Sequence, residues 1–133
     1  MSTVSIRAAL EVALNAMTPV LSTAWENAPF LPVAGTPYQA VHVLFASPDN
    51  VTFGSAHIER GYMQVKLMYP LQVGTAVVAA RAEAIRTAFK RGNSFTSGGV
   101  TVHIEKTPEI SPGTVEGDRF ALPVKVRFFS NVL

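Results

Sequence analysis

SFTSGGVTVHI, residues 94–104, decides how this chain is built, because it follows a helical pattern that ends AFKRGN. A glycine pair beside a lysine and an arginine suits either a phosphate cradle or a turn that starts a strand. A Walker-type loop needs its glycines after a strand, with lysine and serine or threonine opening the next helix. Here Lys90 and Arg91 end a helix and the glycines come later. Helix N-termini attract anions, whereas C-terminal carbonyls repel them. The phosphate reading therefore fails on position. Gly92 fits a left-handed helix stop. Gly98-Gly99 fits a tight turn into a strand over Val100–Glu105, or the turn of a small hairpin with Phe95 and Val100 on its arms.

Working outward, Ala76–Lys90 has helical spacing in Val77, Ala80, Ala84 and Ala88 and again in Val78, Arg81, Ile85 and Phe89. Its alanines favour helix and close approach to a sheet, and Thr75 is its candidate cap. Ser5–Met17 carries Ile6, Leu10, Ala13 and Met17 at spacings of three and four, and Thr18-Pro19 is placed to end it. Tyr38–Ala46 and Gly61–Tyr69 alternate as strands. Val51–Ser55 reads as a short extended piece, and the prolines at 29, 32 and 37 keep the preceding segment irregular. Arg119–Phe129 is the last strand, in which Pro123 marks an edge or a bulge. The order helix, strand, strand, helix, strand, strand predicts an α+β fold, a mainly antiparallel β-sheet with helices packed on one face.

The composition, 48% hydrophobic and 15% charged over 133 residues, suits one domain spanning 1–133 with a substantial core. No uncharged apolar run reaches the roughly 18 residues of a membrane span, and Arg7 and Glu11 interrupt the N-terminal apolar pattern, against a secretory signal. Cysteine is absent, which removes disulfides and thiolate chemistry. The net charge of +2 gives little support to a nucleic-acid binder. Arg81, Arg86, Lys90 and Arg91 form the densest basic group.

Chemistry finds little footing. His42, His57 and His103 lack metal-ligand spacing. His42 and His103 fall in strands and could meet across the sheet, with Asp49 or Glu105 as a further ligand. Glu116 and Asp118 read as a turn before the last strand rather than a cation loop. No nucleophile elbow occurs. Neither an enzyme, a metal nor a cofactor is expected.

What remains is packing. Tyr38–Ala46 is apolar on both faces, which suggests a subunit contact, and aromatic residues are enriched at such contacts. Tyr38, Val41, Val43, Phe45 and Phe128 are the candidate interface residues. The pattern GYMQV at 61–65, YP at 69–70, GT at 74–75, AFKRG at 88–92, GGVTVHI at 98–104, PEISPG at 108–113, GDRF at 117–120 and PVKVRFF at 123–129 resembles the tail terminator-like proteins of long-tailed bacteriophages and prophages. The resemblance covers roughly residues 3–133 and is firmest from Gly61 onward. It implies a structural virion protein: a homo-oligomer, a hexameric ring, that caps the tail tube protein, stops its polymerisation and offers a surface to a head-completion or connector protein. DNA is then only non-specific cargo, with Arg81, Arg86, Lys90 and Arg91 as lumen or inter-subunit charges, and no membrane is involved. Other neck, tube or connector proteins of related fold are the alternative, and a small nucleic-acid-binding domain is a further one.

Overall fold

The computed structural model describes residues 2–17, 21–50, 53–72 and 74–132. The Thr18-Pro19 stop lies outside them, as does the start of the extended piece at 51–55. The chain runs α1 (Ser2–Asn15), β1 (Ser22–Ala24), β2 (Tyr38–Phe45), β3 (His57–Pro70), α2 (Ala76–Ala88), β4 (Ser94–Ser97), β5 (Val100–Ile104), β6 (Glu109–Ile110), β7 (Thr114–Glu116) and β8 (Arg119–Val132).

The spine is the antiparallel ribbon of β3 and β8, paired from His57↔Val132 to Pro70↔Arg119. Period-two alternation sends Met63, Val65 and Leu67 of β3 and Leu122, Val124, Val126 and Phe128 of β8 into the core. Val41 and Val43 of β2 and Val102 and Ile104 of β5 extend it. In α1, Ile6, Ala9, Leu10 and Leu14 supply a buried stripe at helical spacing; in α2, Val78, Ala82 and Ile85 do the same.

The expected fold class does not hold. Among the described residues the protein is mostly β: eight strands form one mixed, curled sheet, ordered β1-β2-β3-β8-β5-β4, with β6 and β7 paired to β8. β1 runs parallel to β2. The sheet curls about the core instead of offering one face to a helical layer, with α1 lying over β4 and β5 and α2 against β3 and β8. The missed strands β1, β6 and β7 are two or three residues long, too short to show alternation.

The opening stretch forms the hairpin of the two readings. Gly98 and Gly99 have φ of 56° and 78°, and Ser97 pairs with Val100 around a two-residue turn. Both turn positions are left-handed, which favours glycine. Gly92 is not the helix cap. Phe89 occupies that position, and the Asn93 side chain donates 3.0 Å to the Ala88 carbonyl, one of the helix's last open acceptors. Gly92, at φ 93°, turns the chain so that its amide donates to the Ile104 carbonyl at 3.2 Å. Thr75 takes the N-cap position but makes no side-chain capping bond.

Pro123 marks neither an edge strand nor a bulge, since the register of β8 on β3 is unbroken through Lys66↔Pro123. Its carbonyl accepts from the Ser111 amide, 3.0 Å away. The proline nitrogen shares that side of the strand, and there the partner changes from β6 to β7. A missing N–H costs no ladder bond at such a gap.

Glu26 closes another open edge. Beyond the end of β1, its Oε1 accepts from the Val43 amide of β2 at 2.6 Å and from Arg7 of α1 at 2.8 Å. Arg7, then the Val43 amide, hold the Glu26 carboxyl below its ordinary value of 4.5. A depressed folded value stabilises the fold above the unfolded value and loses that contribution as pH falls through the folded one. Thermal melts should therefore show wild type ahead of Glu26→Gln near neutrality, with the gap closing on acidification. A gap that is constant with pH would remove the carboxylate's charge as the cause.

Candidate assembly surfaces

Residues 25–37, between β1 and β2, form an arm at one end of the sheet. Arg119, at the start of β8 and 5% exposed, fixes the arm from beneath. Its guanidinium donates to the carbonyls of Val33, at 2.7 Å, and Thr36, and lies 5.0 Å from the centre of the Tyr38 ring. Phe30 packs on the same ring at 4.9 Å. With the base held, the tip presents Leu31 and Val33 to solvent, 89% and 64% exposed. Two neighbouring exposed apolar side chains on an anchored backbone make the arm tip a candidate contact surface.

At the other end of the sheet, α1, the last turn of α2 and edge strand β4 enclose an apolar groove of about 650 Å³, lined by Ala9, Val12, Ala13, Met17, Ala88 and Phe95. Phe95 packs on Phe89, with ring centres 5.2 Å apart. The outward face of the β3–β8 ribbon is polar and carries Tyr62, Gln64 and Lys66 beside Lys125 and Arg127.

The structure distributes the sequence candidates unevenly. Val41, Val43 and Phe128 are core residues and have no surface to offer a neighbour. Tyr38 and Phe45 are half-buried, the first beneath the arm and the second edge-on to Phe128 at 5.8 Å. The basic group is divided as well. Arg81 is buried, and desolvation lowers its pKa while Tyr69 acts in the opposite sense. Arg86 donates to the Pro108 carbonyl at 3.1 Å and pairs with Glu83 at 3.6 Å. Lys90 and Arg91 are exposed beyond the end of α2.

His42 and His103 cannot meet, because β3 and β8 lie between their strands; His103 stacks on Phe129 instead. Among the described residues no three His, Cys, Asp or Glu side chains gather as metal ligands would. No helix among them is long and apolar enough to cross a membrane. Sequence reasoning missed Leu31 and Val33, which sit in a proline-rich segment with no period to read. It also missed Lys125 and Arg127, although alternation in VKVRF places both opposite the core-facing Val124, Val126 and Phe128.

The arm stands at one end of the curled sheet and the groove at the other. The family model for phage tail terminator proteins matches residues 5–128. The chain belongs to that family, which is one of structural tail proteins. Among solved structures, one chain superposes with a TM-score of 0.81 at 25% identity, the alignment covering 100% of this chain and 97% of that one. No curated protein matches the sequence.

Proposed function

We propose that this chain is a non-enzymatic virion protein that acts as one domain and ends the phage tail, closing as a hexameric ring on the last ring of the tube protein. The ring halts tube growth and presents its far side to a head-completion or connector protein. It assembles in the host cytoplasm and passes DNA as non-specific cargo. Family membership over residues 5–128 carries the reading. A closed ring needs heterologous contacts, in which one surface of each subunit meets a different surface of the next. The arm and the groove lie at opposite ends of the sheet and suit that requirement.

Electron microscopy of the purified chain with purified tail tubes tests this directly. The expected outcome is a ring at one end of each tube, and no capping by Leu31→Asp/Val33→Asp. Those side chains are exposed, so the double variant should keep its unfolding free energy within about 0.5 kcal/mol. A chain that stays monomeric at high concentration and leaves every tube end bare overturns the proposal.

A further inference from the structure

We propose that the groove between α1 and β4 receives the arm tip, Leu31-Pro32-Val33, of a second copy of this chain. The inference rests on the ring reading and names the two surfaces that join one subunit to the next. Arg119, which holds the arm, is the first residue of β8. β5, which carries β4, pairs with β8 at Phe128 and Phe129, near its far end. At about 3.3 Å per residue, these points stand about 30 Å apart along the strand. The anchored tip does not reach the groove of its own chain, and Leu31 is left exposed. Joining tip to groove takes two copies set head to tail, which is the heterologous contact that a ring repeats.

The two surfaces match in charge and in shape. Residues 28–37, APFLPVAGTP, contain no charged side chain, and neither do the residues that line the groove. Closing one on the other takes no ion out of water, which is the costly step in burying polar surface. The rim of the groove is the outer edge of β4. The Ile104 amide donates to the Asn93 carbonyl at 2.9 Å, and alternation along the antiparallel pair then turns the peptide groups of Ser94 and Thr96 away from β5. An open strand edge accepts an extended segment rather than a helix. Pro32 fixes its own φ and keeps Leu31 out of the helical region, so the tip is extended before it binds. The exposed valines at 4, 12 and 77 lie on helices instead.

Size sets how the contact behaves. A stable pairwise interface buries about 800 Å² on each partner, drawn from roughly 20–30 residues a side. The base of the arm is already packed on Arg119 and Tyr38, so the tip alone falls well short of that. One tip in one groove therefore makes a weak pair. Seating subunits side by side on a tube end makes each further contact intramolecular, at an effective concentration on the order of millimolar. Assembly through this contact should wait for the tube.

The chain has no cysteine, so disulfide trapping reads the contact without background. Val33→Cys/Val12→Cys puts one thiol on the arm tip and one in the groove, both at exposed positions. Val33→Cys/Val4→Cys is the control, its second thiol about two turns earlier on α1 and outside the groove. Each full-length variant is oxidised with and without purified tail tubes and run on non-reducing gels, while electron microscopy scores capping. The expected result is a ladder of linked chains from the arm–groove pair, formed at least about tenfold faster with tubes than without. The control should link no faster than the single-cysteine variants. An arm–groove pair that links no faster than the control, while tubes are capped, overturns this contact and leaves the ring reading standing. So does Val33→Cys alone forming dimers as fast as the pair, which would make the joint arm to arm. A ladder without capped tubes keeps the contact and sinks the tail-ending reading. If neither linkage nor capping occurs, both fall.

Discussion

Gly61→Val is expected to abolish the soluble fold. Gly61 lies within β3, paired with Phe45 of β2 on one side and Phe128 of β8 on the other. A Cβ at this position would overlap the carbonyl oxygen of Leu44 and crowd the tip of the Phe128 ring. A carbonyl is part of the backbone and cannot rotate aside as a flexible side chain can. It is also fixed locally, because the Ala46 amide donates to the Arg60 carbonyl at 2.8 Å and ties the end of β2 to β3 beside Gly61. The two rings flanking the glycine meet edge to face over the space it leaves, and Phe128 is fully buried. The substitution must therefore separate β2 from β3, displace Phe128, or do both. Overpacking in a rigid site costs about 1–3 kcal/mol or more, against a total stability of about 5–15 kcal/mol for an ordinary domain. Gly61→Ala, measured by denaturant titration, should lose at least about 2 kcal/mol, and the valine variant should leave little soluble protein. An alanine variant within about 0.5 kcal/mol of wild type would mean that β2 shifts freely on β3.

The same glycine shows what the sequence made legible. Alternation in GYMQVKLMY and in PVKVRFF gives both long strands and the inward set Met63, Val65, Leu67, Val124, Val126 and Phe128, because a half-buried strand must write its burial into every second residue. Helical spacing gives α1 and α2 for the same reason, with bounds of Ser2–Asn15 and Ala76–Ala88 where the pattern suggested Ser5–Met17 and Ala76–Lys90. Partnership is not written locally. That β8 lies in the middle of the sheet, with β3 on one side and β5, β6 and β7 in turn along the other, follows from pairings far apart in the chain. Val41 and Val43 read as interface residues from the sequence because both faces of β2 are apolar. The distinction between a core and a contact depends on what the rest of the chain places over each face. The arm was illegible for a related reason: its order comes from Arg119, more than eighty residues away in sequence.

Arg119→Leu is expected to release that arm and to disable assembly without dismantling the core. The leucine keeps apolar contact near Tyr38 but removes every donor that reaches the Val33 and Thr36 carbonyls. Hydrogen bonds from a charged donor contribute about 1.5–3 kcal/mol each in mutational series. The arm is partly exposed and water can take over its carbonyls, so a total loss of about 2–3 kcal/mol is the expected scale. Location separates this loss from general destabilisation. In hydrogen exchange, the Thr36 amide, which donates to the Val33 carbonyl at 3.1 Å, should lose protection while the amides of β3 and β8 keep theirs. Leu31 and Val33 would then be held in no fixed place, and the ordering cost falls on every contact they make. If the arm supplies the ring contact, tube capping should fail in Arg119→Leu as in Leu31→Asp/Val33→Asp, although its apolar tip is intact. Arg119→Lys sharpens the comparison. It retains the charge but not the fork that reaches two carbonyls at once, so it should recover only part of the protection and part of the capping. Full recovery with lysine would assign the effect to charge alone, and unchanged Thr36 protection in the leucine variant would remove Arg119 as the anchor of the arm.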